Sequence, residues 1–271
     1  MKNLILPIEK PEEAGNLIQY GFDWADFLKA RLVIVHVFRY QKLASSLIDL
    51  SDQIKMDLEK ELAELVDPIS KNYPSDMRYE IKILEGDAAE MILDCAENQK
   101  EAMLLLPTKG KSKSERIFLG SVSTSVLEAS KVPILAFHPN SKFTIPKKIA
   151  FPVDSEGFSS RDTFMPLFEI AEKCSAKIMI FHLENQNEDL GIHPSLDEYL
   201  NSEEKNWSLS YHYELSDKPI TSAINDFTRD YKANLICLTK RKKSFWEALT
   251  QVSITRQELR KKVVPVVVVK G

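Results

Sequence analysis

The residues of this chain best suited to do chemistry are Gly110, Gly120, Ser121, Val122 and Ser123, with Lys109 and Lys111 beside them. They lie in residues 104–137, which read as strand, loop, helix, strand. An apolar run, residues 103–106, stops at Pro107. A polar, lysine-rich loop follows, and Gly120-Ser121 opens a helical segment. Val132-Pro133 then leads into another apolar strand. A loop of this kind suits a phosphate. The N–H groups of a helix's first turn have no intrahelical partner, and the helix dipole favours an anion there. Glycine lets ligand oxygens approach the backbone. Ser121 and Ser123 add hydroxyl donors, and the two lysines add positive charge.

The stretch has a twin. Shifted by 132 residues, residues 235–269 repeat its layout without a gap. Ser253 and Thr255 keep the hydroxyl positions of Ser121 and Ser123. Thr239, Lys242 and Val252 stand where the first copy has Pro107, Gly110 and Gly120. Side chains at Lys242 and Val252 intrude where phosphates need bare backbone, so no triphosphate is expected there. The basic run at residues 240–243 reads as a solvated loop.

The remaining polar residues do not assemble into a reaction centre. His36 and His182 recur at equivalent strand ends and are expected to make structural hydrogen bonds. His138, His193 and His212 lack metal-ligand spacing. Ser155, Ser159 and Ser160 lack a nucleophile elbow. Asp154 with His182 hints at acid–base chemistry but has no partner nucleophile. Cys95, Cys174 and Cys237 are odd in number, lack paired metal-type spacing and read as buried, reduced thiols. Trp24, Trp207 and Trp246 are expected to pack. No catalytic or metal-binding set is expected.

The elements that must position these residues alternate strictly. Residues 3–8 form a strand, 11–29 a helix and 31–38 a β-branched strand buried on both faces. A long amphipathic helix, residues 43–66, is expected to stop near Pro68. A strand over 77–84, a helix from Asp87 to about Asn98, the strand at 103–106, a helix over 121–130 and a strand over 133–137 complete the first set. Pro11 suits a helix start, and Asp87 a helix cap. Residues 140–146 read as a linker. The order then restarts with strands at 148–153, 177–183, 209–215, 234–238 and 265–269. Helices are expected at 158–174, 194–206, 219–231 and 252–262. Pro7 matches Pro152, His36 matches His182, Ile92 matches Ile224 and Val132-Pro133 matches Val264-Pro265. The chain is an internal duplication. Each half is expected to be a doubly wound parallel sheet, with ligands outside the carboxyl ends of its strands.

Composition narrows the function. The 271 residues are 44% hydrophobic and 28% charged, with a formal net charge of −4. This argues against generic nucleic-acid binding, which needs a clustered basic excess. No apolar run is long enough to span a membrane, and the start has no signal-peptide pattern. A cytoplasmic protein is expected.

With these residues in hand, nearly the whole chain resembles a tandem universal stress protein, two such domains in one polypeptide. Nucleotide-binding members of that family carry G-x2-G-x9-G-[S/T] after the fourth strand, an Asp ending the first strand and His-Val ending the second. Here the loop reads Pro107-x2-Gly110-x9-Gly120-Ser121, followed by Val122-Ser123. The first-strand acid is Glu9, and His36-Val37 ends the second strand. Pro107 replaces the first glycine, and Glu9 is one methylene longer than Asp. The resemblance implies an adenine nucleotide alpha hydrolase-like fold with five parallel strands per domain, over residues 1–139 and 147–271. It implies a site for ATP, with magnesium, in which Pro7, Glu9 and Val37 line the adenine and ribose pocket. Gly110, Gly120, Ser121, Val122 and Ser123 would hold the triphosphate, with Pro107 counted among the site residues of the same loop. It further implies a stress-response role through conformation or a protein partner, with slow ATP hydrolysis at most. The edges at 134–137 and 266–269 would pair as a pseudo-dimer within the chain, with a homodimer allowed in addition. The alternative is an interaction module in which neither half holds nucleotide.

Overall fold

The computed structural model describes residues 1–40, 50–108, 120–153, 164–184, 208–215, 219–240 and 264–270. The fold is mixed α/β, with a large, mostly parallel sheet and flanking helices. Every pairing with a recorded register is parallel. The chain divides into two compact units, and Leu135–His138 groups with the second.

In the first unit, β1 (Asn3–Ile8) and β2 (Arg31–Phe38) form where the apolar runs predict. They are joined by β3 (Tyr79–Glu85) and β4 (Ala102–Pro107), in the spatial order β3-β2-β1-β4. Pro11–Glu13 forms a single 3-10 turn before α1 (Gly15–Leu28) begins. The proline starts helical geometry, but the α-helix sets in later than the sequence suggests. Gly21 lets α1 lie close on β1. A Cβ there would meet the Leu6 side chain at 2.9 Å.

Helix α2 (Ser51–Ser70) corrects an expectation, because it runs through Pro68 and does not stop before it. A proline this near a helix end removes one intrahelical bond and not a series of them. Side chains serve the carbonyls of that last turn: Ser70 Oγ donates to Asp67 O at 3.0 Å and Asn72 Nδ2 to Pro68 O at 3.5 Å. The expected part of this helix before Leu50 lies outside the described residues. Helix α3 (Ala88–Glu97) follows Gly86, whose φ of 147° suits glycine. Helix α4 (Ser121–Ala129) completes this unit.

The second unit holds β5 (Ile134–Phe137), β6 (Lys148–Val153), β7 (Lys177–Glu184), β8 (Leu209–Leu215), β9 (Leu235–Lys240) and β10 (Val266–Lys270). Their order is β5-β10-β9-β6-β7-β8. Read from the far edge, β8-β7-β6-β9 repeats β3-β2-β1-β4. The expected neighbours β5 and β10 do lie side by side. Helices α5 (Met165–Cys174) and α6 (Ile220–Asp230) are described. The expected helices at 194–206 and 252–262 lie outside the described residues.

The likeness between the two units reaches down to single backbone bonds. Lys29 ends α1 in the left-handed region at φ 53°, and Ser175 ends α5 at φ 50°. Ala30 N donates to Ala25 O at 2.9 Å, and Ala176 N to Ala171 O at the same distance. These are matching six-to-one closures of a helix end, made without glycine.

Candidate functional site

Strand order fixes where a ligand could sit. In the first unit β1 lies between β2 and β4, and the chain reaches β4 only after β3. The direction of winding therefore reverses between β1 and β4, so their carboxyl ends flank the switch point. The recorded β1–β4 pairing ends at Ile5↔Leu104. Extending that register by three residues sets Ile8 beside Pro107.

This arrangement gives Pro107 a physical place. Leu104 N donates to Pro133 O, and Thr108 N to Phe137 O. Alternation along a strand then turns the missing N–H of Pro107 the other way, toward β1, past the recorded end of that ladder. The proline costs no recorded ladder bond.

Beside it, Pro7 is buried in β1, and Glu9 is exposed one residue past the strand. Ile8 pairs with His36, so half-buried Val37 follows on the neighbouring strand end. His36 is 7% exposed, and its Nδ1 donates to Ile8 O at 2.9 Å, which fixes the proton on Nδ1. That bond ties the ends of β1 and β2 together, the structural role expected of His36.

Helix α4 supplies the donors. Gly120 is its N-cap, with φ −67° and ψ 166°, and no side chain caps the helix. Its first-turn N–H groups are thus left for another acceptor. Ser121 and Val122 are exposed and Ser123 is half-buried. Gly110, Lys109 and Lys111 lie outside the described residues. The fold thus brings Pro7, Glu9 and Val37 to adjoining strand ends, puts Pro107 on the far side of β1, and leaves Gly120–Ser123 as an open helix start. These donors and hydroxyls fit an anionic group. Among the described residues no cluster of His, Cys, Asp or Glu is arranged to hold a metal ion.

A polar pair nearby escapes the sequence reading. Asp87 caps α3, accepting from Ala89 N at 3.0 Å and Glu90 N at 3.2 Å, and also takes the Arg39 guanidinium. The backbone N–H of Glu90 is the main cause holding its carboxyl below the usual range, with Arg39 helping. The cap was legible from Gly86-Asp87. Arg39 was not, because residues 39 and 87 meet only through β2–β3 pairing.

The matching place in the second unit differs. Val153 pairs with His182 as Ile8 pairs with His36. His182 is 1% exposed, yet among the described residues neither ring nitrogen has a hydrogen-bond partner. The expected structural bond is not made among the described residues. The ring instead lies 6.1 Å from that of Tyr213. Thr239, the next-to-last residue of β9, is half-buried. Asp154, Lys242, Val252, Ser253 and Thr255 lie outside the described residues. Elsewhere the cysteine reading holds in part: Cys237 is buried as expected, whereas Cys95 and Cys174 are half-buried. All three cysteines are free, and burial raises the pKa of each. No helix among the described residues is long and apolar enough to cross a membrane.

Comparison with known proteins agrees with this architecture. A universal stress protein of Methanocaldococcus jannaschii is 24% identical over 136 residues, covering 49% of this chain and 80% of the relative. The crystal structure of a universal stress protein from Archaeoglobus fulgidus matches with a TM-score of 0.72 at 19% identity, over 99% of this chain and 98% of that one. The cytoplasmic domain of a prokaryotic cation chloride cotransporter shares the fold at a TM-score of 0.57 and 10% identity, over 99% and 95% of the two chains. The model of the universal stress protein family matches residues 1–138. The chain belongs to the universal stress protein family.

Proposed function

We propose that the first half binds ATP or a related adenine nucleotide, and that the protein acts in a stress response through conformation or a protein partner. The observation that carries this reading is the α4 start, capped by Gly120 without a side chain, in a unit whose switch point lies between β1 and β4. Glu9 and Val37 would meet the ribose and adenine, with Pro7 behind them. Gly120, Ser121, Val122 and Ser123 would bind the phosphates, with Gly110 and Pro107 shaping the loop. Magnesium would ride on the phosphates, since no described cluster of side chains holds it. The nucleotide supplies a polyanion. The chain supplies oriented N–H and hydroxyl donors.

Residues 147–271 are then a second universal stress protein domain, without a triphosphate site. The repeated strand order and matching helix ends support this. A homodimer and a cytoplasmic location fit the same reading. The second reading is an interaction module that holds no nucleotide. Pro107 in place of the family glycine favours it, and the cotransporter domain is a reminder that the fold alone does not assign a ligand.

Calorimetric titration of ATP into the purified protein separates the two. The proposal expects saturable binding, lost in a Gly120→Val variant. No heat at millimolar ATP sinks it in favour of the interaction module. Magnesium-dependent ADP release that disappears in Glu9→Gln would instead make the protein a slow ATPase.

A further inference from the structure

Strand β8 ends the strand order of the second unit, with β7 on one side and no described strand on the other. Such an edge presents a row of N–H and C=O groups to another chain, and charged side chains are one means of blunting it. The first unit has that means. Its terminal strand is β3, where Lys82 lies beside Val35, itself the partner of Pro7. His212 holds the same register place on β8, beside Phe181, itself the partner of Pro152. One edge therefore has a lysine at its middle, with Glu80 at 3.8 Å, and the other an imidazole.

The sequence of β8 reads almost alike in both directions. About His212, Tyr211 mirrors Tyr213 and Leu209 mirrors Leu215. The backbone phase suits the same centre. Ile178 lies opposite Leu209, and its N donates to Ser208 O at 2.8 Å. Parallel pairing then turns the backbone groups of residues 208, 210 and 212 toward β7 and those of 209, 211 and 213 outward. Two copies of β8 laid antiparallel about His212 set Tyr211 of one against Tyr213 of the other. Both residues are turned outward, so each such pair exchanges two backbone bonds. A slip of one residue sets outward residues against inward ones and makes none.

The side chains agree with this centre. Tyr211 and Tyr213 share one face and are 38% and 60% exposed. His212 is on the opposite face, edge-on to Phe227 and Tyr231 at 5.1 and 4.4 Å, with Nε2 2.9 Å from Ser210 Oγ. Burial, and then Lys177, lowers the His212 pKa, so the centre carries no charge at neutral pH. The same arrangement on β3 would set Lys82 against Lys82, and like charges placed opposite repel.

We propose that the outer edge of β8 is a self-pairing surface, on which a second copy of this chain adds its own β8 antiparallel about His212. The contact is isologous, and main-chain bonds carry it, with four tyrosines across one face. Tyrosines of roughly 150–250 Å² apiece, partly covered already, fall short of the roughly 1,200 Å² of a standard interface. The pairing is therefore weak and concentration-dependent. It stands apart from the nucleotide reading, which neither requires nor excludes it.

Sedimentation velocity on the full-length protein without nucleotide, from micromolar to millimolar concentration, tests the pairing. The native protein is expected to form a reversible dimer as concentration rises. Tyr211→Lys with Tyr213→Lys sets lysine against lysine and should raise the dimer dissociation constant by roughly tenfold or more. Tyr211→Lys with Tyr213→Glu sets lysine against glutamate in both pairs and should restore the dimer. Both positions are exposed, so the two variants should unfold in urea as the native protein does. A native protein that stays monomeric throughout overturns the proposal, as does a dimer that the two lysines leave intact. A dimer lost equally in both double variants overturns the pairing about His212.

Discussion

At the carboxyl ends of their strands the two halves differ in a consistent way. In the first, His36 bonds Ile8 O, Asp87 caps α3 with its side chain, and Gly120 leaves α4 open. In the second, His182 has no hydrogen-bond partner among the described residues, and Pro219, 132 residues after Asp87, begins α6 without a side-chain cap. The apolar frame is kept in both: buried β1 and β2 have their match in buried β6 and β7. Packing is what any sheet needs in order to fold. Polar fittings at strand ends are needed only where something must be positioned. This difference is the reason the proposed function places the ligand in the first half.

The frame should respond alike in both halves. Phe22 is fully buried and stacks on Tyr73 at 5.1 Å, and Phe181 is 1% exposed and stacks on Phe227 at 4.4 Å. Truncating either to alanine should cost about 3–5 kcal/mol, checked by denaturant unfolding. Amide exchange should rise around β2 in Phe22→Ala and around β7 in Phe181→Ala. A loss confined to one half, whichever phenylalanine is truncated, would break the equivalence.

Nucleotide should separate the halves. At ATP a hundredfold above its dissociation constant, stability should rise by about 2.7 kcal/mol. Exchange protection should be gained at β1, β2 and α4 and not at β6 and β7. Protection gained in the second half would reverse the assignment of the furnished site.

The two histidines test the comparison within the frame. His36→Leu removes a bond and strands a buried carbonyl, so it should destabilise by about 1–3 kcal/mol. His182→Leu removes an imidazole that lacks a hydrogen-bond partner among the described residues, and relieves a buried polar group. It should be neutral or stabilising by about 1–2 kcal/mol. Equal losses for both, measured by urea unfolding, would mean that His182 has an acceptor in solution.

How much of this could be read from the chain depends on how local each cause is. Strands β1, β2, β6 and β8 begin and end where their apolar runs do, because burial of a short run between polar turns leaves few alternatives. Helix bounds were less legible. Pro68 looked like a stop, yet a proline at a last turn forfeits little, and the Ser70 and Asn72 side chains serve the carbonyls there. At the site, the glycine and serine spacing predicted an open helix start, since N-capping is decided by neighbours in sequence. The unlike behaviour of His36 and His182 was hidden. Both sit at the same register, and whether a carbonyl meets the ring depends on strand-end geometry that no residue type encodes. Arg39 on Asp87 and Phe143 on Trp24 were equally hidden, as pairs of distant residues joined by topology.

The smallest effect expected is the pH response of the two helix starts. The Asp87 carboxyl is held below its ordinary range in the fold, by the Glu90 N–H first and Arg39 next. A carboxyl depressed on folding contributes stability that is present above its unfolded pKa and is lost as pH falls through its folded one. Asp87 is exposed, so the contribution is small and should shrink with salt as the Arg39 pairing is screened. Pro219 has no titrating side chain to lose. Acidification below the ordinary carboxylate range should therefore loosen the α3 start before the α6 start, read as amide exchange at Ala89 and Glu90 against Thr221 and Ser222. In Asp87→Asn the amide oxygen still caps the helix, so that difference should vanish while the helix remains. If the α3 start loosens with acid just as much in Asp87→Asn, the cap does not set the pH response, and this part of the contrast between the halves fails.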